Sequence, residues 1–199
     1  MTANVDETIK KMMCLFEDID QQTEKFARQT GLKCKKDCGA CCTNPEIETT
    51  VAEVLPLAKH LWSNGLAENK LEAIRLKSSK GVCVFYEPDP VDQSKGRCGS
   101  YAFRPGICRL FGFAARKDKH GQSTLVTCKV IKDTQPQACS STQEKLQQGT
   151  LTAPLLNTHA FAVSNIDPTH GQKHFPINQA IKLALEKIGY GAEGKRANP

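Results

Sequence analysis

The sequence predicts an α+β fold, a single domain with helices at both ends and a small cysteine-rich β element between them that holds a metal or cluster site. Three observations carry that expectation. Apolar residues recur at helical spacing near the start of the chain and again over residues 176–188, while β-prone runs and most of the cysteines occupy the middle. At 199 residues the chain is also long enough to bury a core without staples.

Taken in order, Val5, Ile9, Met12, Phe16, Ile19, Thr23 and Phe26 alternate steps of four and three, one seam of a helix that Gly31 ends. Such a seam packs on its own domain or pairs with a second copy as a dimer. Asn44-Pro45 reads as an N-cap followed by proline at the first helical position. Ile47, Val51, Val54, Leu55, Ala58 and Leu61 continue that helix, which Pro56 is expected to kink or break and Asn64-Gly65 to end. A short helix follows over 68–77, with Leu71 and Ile74 inward, and a break over 78–81. Val82 to Tyr86 is a β-prone run closed by the turn Pro88-Asp89-Pro90. Residues 110–116 and 123–131 read as a hairpin around Lys119-His120-Gly121-Gln122, with Cys128 on the return strand. Residues 133–150 are polar and loop-like, and 176–188 form a last helix with Ile177, Ile181, Ala184, Leu185 and Ile188 on one face and Gly189 as its stop. The chain thus divides into an amphipathic helix (1–30), a cysteine-bearing metal-binding core (31–132), and a loop and helix (133–199) completing the same domain.

Composition narrows the function classes. No apolar run approaches the ~18 residues of a membrane span, so no membrane is expected. The formal charge of +6 is offset by aromatics at only 6% and by the lack of a long Lys/Arg run. Two thiolate sites of charge near −2 would bring the total to about +2, so nucleic acid is not the expected partner. The opening residues Met-Thr-Ala-Asn-Val-Asp-Glu show neither a basic nor an apolar leader region. The expectation is a cytoplasmic chain whose thiols stay reduced, where clustered cysteines read as metal-binding or catalytic rather than as disulfides.

The ten cysteines carry the most chemistry. Cys34, Cys38, Cys41 and Cys42 lie within nine residues, and Cys83, Cys98 and Cys108 follow. Cys34-x₃-Cys38 and Cys38-x₂-Cys41 have the spacing by which two thiolates converge on one zinc ion, and the run loosely resembles those that wrap iron–sulfur clusters. Neighbouring side chains diverge, so Cys41 and Cys42 are expected to serve different metal atoms. A multi-iron cluster, two sites, or a cluster with one open coordination position all satisfy this count. Cys128 is a candidate eighth ligand; Cys14 and Cys139 read as free thiols.

The run Cys34-x₃-Cys38-x₂-Cys41-Cys42, the later Cys83-Val-Phe, and Cys98-x₂-Tyr101-x₂-Arg104-Pro105-x₂-Cys108-Arg109-x-Phe111 together resemble the YkgJ-type cysteine-cluster family. That family is usually described as zinc- or iron-chelating, and it includes flagellin lysine methylases that carry an iron–sulfur cluster. Its name implies two residues between its first two cysteines, where this chain has three. The resemblance implies a cofactor class, an iron–sulfur cluster (4Fe-4S) with zinc as the alternative, more than it implies a reaction.

Pro105 should hold Arg104 extended, so that Arg104 and Arg109 turn guanidinium donors on cysteine sulfurs, while Tyr101 adds a hydroxyl donor or a redox partner. The alternative is surface pairing for the arginines and packing for the tyrosine. Gly189-Tyr-Gly191-Ala-Glu-Gly194 matches the dinucleotide fingerprint in letters but follows a helix, and His170-x₃-His174 lies far from the cysteines. The expected function is iron binding with redox chemistry or cluster-assisted modification of an unidentified protein or small molecule. A structural-zinc interaction module without catalysis is the other class.

Overall fold

The computed structural model describes residues 4–36, 38–76, 81–92 and 95–196, with side chains as far as Tyr190. It is mixed α and β with helices at both ends, as expected. Helix α1 (Val5–Thr30) starts at Asn4, whose side chain accepts the Asp6 N–H, and stops at Gly31, left-handed at φ 73°. Its seam residues Met12, Phe16, Ile19, Thr23 and Phe26 are buried. Met12, Phe16 and Ile19 pack against Ala52, Leu110 and Val163, and Phe26 against Leu32, Ile131 and Leu146, so the seam is buried within the chain.

Downstream of α1 the elements depart from the sequence reading. Asn44 ends a short helix, α2 (Ala40–Thr43), and the chain then runs through β1 (Glu48–Thr50) into α3 (Val51–Ser63). The true helix start is Thr50, which forms a reciprocal capping box with Glu53. Pro56 does not break α3. Residues 51–58 are all buried, and that burial outweighs the roughly 3 kcal/mol an interior proline costs. Helix α4 (Ala67–Leu76) follows, with Ile74 buried, while the expected break over 78–81 lies outside the described residues except for Gly81.

In the middle, only Tyr86 of the β-prone run is in a strand, β2 (Tyr86–Pro88), which takes in the first residue of the expected turn and pairs antiparallel with β3 (Gly96–Cys98). After a 3-10 turn (Tyr101–Phe103) comes α5 (Gly106–Leu110), a helix where the hairpin's first strand was expected to begin. The hairpin itself is present but shorter: β4 (Ala114–Lys117) and β5 (Ser123–Val126), with Asp118 Oδ1 accepting the His120 and Gln122 N–H groups in the turn. Cys128 is therefore not on a strand but caps α6 (Lys129–Thr134).

Residues 133–150 are not a loop. Pro136 opens α7 (Pro136–Gln147), whose Gln143 amide bonds the Leu125 N–H and Ser123 carbonyl along the outer edge of β5. Helix α8 (Leu156–Ile166) was not anticipated at all. Strand β6 (His174–Pro176) pairs with β1 and leads directly into α9 (Ile177–Arg196), which runs through Gly189 rather than stopping there. A Cβ at Gly189 would lie 2.7 Å from the Trp62 ring, so this glycine serves close packing of α9 on α3. The fingerprint-like glycines thus sit in the last turns of a helix.

The largest apolar cluster joins α3 to α9 through Val54, Leu55, Ala58, Leu61, Ile181, Ala184 and Leu185, and it includes Cys42 and Cys83. The cysteine-bearing segment is therefore built onto one wall of the core. Among the described residues no helix is long and apolar enough to cross a membrane.

Candidate metal centre

Four segments bring the cysteines together. Helix α2 carries Cys41 and Cys42, and Gly39 at its start lets the Tyr86 ring approach, since a Cβ there would lie 2.2 Å from that ring. The Cys83 N–H donates to the Cys42 carbonyl at 2.8 Å, hanging the Cys83 turn on α2. The same turn is gripped from α9 by fully buried Asn178, whose Oδ1 accepts the Val84 N–H (2.9 Å) and whose Nδ2 donates to Val82 O (3.1 Å). Cys98 ends β3 opposite Tyr86, and Cys108 lies on α5.

Cys41, Cys42, Cys83, Cys98 and Cys108 border a pocket of about 30 Å³, walled otherwise by Ser100, Arg104 and apolar side chains such as Val54, Phe85 and Ile181. Cys42 is its hub. Hydrogen bonds to the sulfurs of Cys41, Cys83 and Cys98 hold its proton in place and push its pKa up. The same bond from Cys42 draws Cys41 down to about 6, against burial and with help from Arg104, and Cys98 down to about 7. Cys83 is lowered likewise, whereas burial raises Cys108. Thiols gathered in a largely apolar pocket are a donor set suited to a thiophilic cation. Among the described residues, no three Cys, His, Asp or Glu side chains are already closed around an ion position.

On the other side lies an open cleft of about 700 Å³ bordered by Cys34, Cys38, Cys41, Cys98, Cys108 and Cys128. Cys41, Cys98 and Cys108 therefore face both spaces. Cys34 stands at the exposed mouth; partial burial, then Cys38, Cys128 and Cys41, raise its thiol to about 11. The Cys128 sulfur accepts the Ile131 N–H at 3.3 Å. Cys14 is exposed, and Cys139 lies in α7 rather than a loop, its thiol directed at the Ile131 carbonyl.

The flanking residues divide. Arg104 stacks on the Tyr101 ring at 3.5 Å, donates to the Cys108 carbonyl, and favours the thiolates of Cys41 and Cys98. Arg109 does not address sulfur. Its donors go to Arg104 O (2.7 Å), Ala102 O (2.5 Å) and the Asp20 carboxylate, and it lies over the Phe16 ring, closing the 102–109 loop onto α1. Tyr101 is 66% exposed and serves as the platform for Arg104. His170 binds Asp167 within its own loop, and His174 lies on β6, away from the thiols.

Two supports escaped the sequence reading. Glu53 accepts from Thr49, Thr50, Gly106 N (3.0 Å) and His159 Nε2 (2.8 Å), so one carboxylate fixes the start of α5, and hence Cys108, against α3 and α8. A Cβ at Gly106 would meet His159 at 2.0 Å. The capping box Thr50-x-x-Glu53 was legible; the partner His159 was not. Asn178 had one signal, a lone amide on an apolar helix face.

The sequence of residues 33–154 matches the family described as CxxCxxCC, "putative zinc- or iron-chelating domain". The chain belongs to the CxxCxxCC family. No curated protein and no solved structure matches it. The CxxCxxCC match takes in all the cysteines of both spaces, Cys34 to Cys128, together with the Arg104-Pro105 element, and leaves Asn178 and His159 outside it.

Proposed function

We propose that this chain binds iron, as an iron–sulfur cluster of the 4Fe-4S type, with thiolate ligands drawn from Cys34, Cys38, Cys41, Cys42, Cys83, Cys98 and Cys108, and Cys128 as a further candidate. It would use that iron in redox chemistry or in modifying another molecule. The observation that carries this reading is that Cys41, Cys98 and Cys108 line a large, partly polar cleft as well as a small, largely apolar pocket. A purely structural ion has no use for a solvent-facing side, whereas a reactive centre must meet its partner there. When bound, iron would supply electron transfer or Lewis acidity. The protein's own part is to hold thiolates with Cys42 at their hub, exclude water behind them through Val54, Phe85 and Ile181, and place the Arg104 charge beside them. Reduced thiols also fit a cytoplasmic location, with an unidentified protein or small molecule as the cleft's visitor. The small size of the inner pocket favours a second reading, structural zinc on Cys41, Cys42, Cys83 and Cys98. Iron, zinc and acid-labile sulfide content of anaerobically purified protein, with its absorption spectrum, separates them. Iron with equimolar sulfide and absorption near ~400 nm is expected; zinc alone would defeat the redox reading.

A further inference from the structure

We propose that the cleft beside the thiols receives a small organic anion, its charge held by Lys35, Lys36 and Arg104 and its apolar or ring-bearing body by Tyr101, Phe111 and Phe113. This names the class of visitor for the function proposed above, and it rests on that reading only in placing the chemistry at the cleft. All six residues border a space of about 700 Å³. Clefts that take a whole small molecule measure roughly 300–1,000 Å³ and combine ring surface with a few fixed polar groups. Phe111 and Phe113 are half-buried and Tyr101 is exposed, so aromatic surface remains for a ligand to cover.

Charge decides the sign of the ligand. The other charged groups of the cleft are already matched, Arg109 with Asp20, Arg97 with Glu87 and Glu24 with Arg28. Among the described residues no carboxylate pairs with Lys35, Lys36 or Arg104, which leaves three positive charges on one space. They are also held in place. Gln135 clamps the loop that carries the lysines, its Oε1 accepting the Lys33 N–H at 2.9 Å and its Nε2 donating to the Lys33 carbonyl at 2.7 Å. Arg104 is extended before Pro105, at φ −58° and ψ 135°, and its guanidinium lies 3.5 Å over the Tyr101 ring. Its Nε–H donates to the Tyr101 carbonyl at 3.3 Å and its Nη1 to the Cys108 carbonyl at 3.4 Å. Nη2 meets no acceptor among the described residues, so a pre-set guanidinium edge is left for an oxyanion.

The test titrates the anaerobically purified full chain, its metal content measured, with the fluorescent anion 8-anilinonaphthalene-1-sulfonate and with its uncharged counterpart N-phenyl-1-naphthylamine, before and after chelation. The sulfonate should bind about tenfold more tightly than the neutral probe, and added salt should remove most of that advantage. Replacing the two exposed lysines together, Lys35→Gln with Lys36→Gln, should weaken the sulfonate by roughly fivefold, and Arg104→Gln by about tenfold, with the neutral probe unchanged. Tyr101→Ala should weaken both probes. Lys145→Gln, at an exposed position on α7, should weaken neither. Far-UV circular dichroism confirms the fold of each variant. Equal affinity for the two probes, or a loss in Lys145→Gln matching that of the cleft variants, would overturn the proposal and leave metal binding standing. Sulfonate binding that appears only after chelation would do the same, since the three cations would then be counter-charge to the metal–thiolate centre. The expected pattern in a chain that holds no metal would defeat the metal reading and keep the anion site.

Discussion

Glu53 is a carboxylate buried against four residues that all donate to it, and its ionised form is part of the fold. Burial alone would raise its pKa; the His159 bond, the Thr50 N–H and the Thr49 hydroxyl outweigh it and hold the group at about 2, below the ordinary 4.5. Because the folded value is depressed, the stabilisation is complete above about pH 4.5 and is lost as pH falls toward 2. Its size is on the order of 3 kcal/mol. Urea midpoints should therefore drop steeply over that window for wild type and much less for Glu53→Gln. At neutral pH the glutamine variant should be weaker by roughly 2–3 kcal/mol, since its NH₂ must face a donor.

Elements show how the cleft and pocket depend on parts of the chain remote from the cysteines. Asn178→Ala leaves the Val84 N–H and Val82 carbonyl without their partner. A stability loss of about 1–3 kcal/mol is expected, together with a lower metal-to-protein ratio, because the Cys83 turn is no longer held. At Gly189 two effects compete. Alanine gains up to roughly 1 kcal/mol of helix propensity, but its Cβ would sit 2.7 Å from the Trp62 ring, which is itself fixed by an Nε1–H bond to Leu185 O. Overpacking costs about 1–3 kcal/mol, so thermal melts of Gly189→Ala should show a net loss. These contacts explain what was readable. The seam of α1 announces itself by spacing and two clean caps. Helices α6 and α7 do not, because Ile131, Thr142 and Leu146 are the buried residues of eighteen and the polar Gln143 is spent on a strand edge. The cysteines were legible because crowded thiols have few uses. Asn178 and Gln135 were not, because each acts on backbone groups that only the tertiary fold brings within reach, and Glu53 was legible as the capping-box partner of Thr50 but not as the anchor of Gly106 and His159.

At the scale of the molecule, the thiols form one wall of the α3–α9 core, with Cys42 and Cys83 counted among its buried residues. Removing metal should therefore loosen the segments that depend on it without unfolding the rest. Hydrogen exchange after chelation should speed up over 82–86 and 96–110, while the amides of α1, α3 and α9 keep their protection. A global loss of protection would instead make the ion a condition for folding.

The grip of Asn178 on the Cys83 turn also sets an order in time. The amide is translated 94 residues after Val84, and at 5–20 residues per second that is a wait of roughly 5–20 s. During synthesis the inner thiols stand exposed to oxidants and stray cations with their last bracket still unmade, so faithful loading belongs to the finished chain and not to the nascent one.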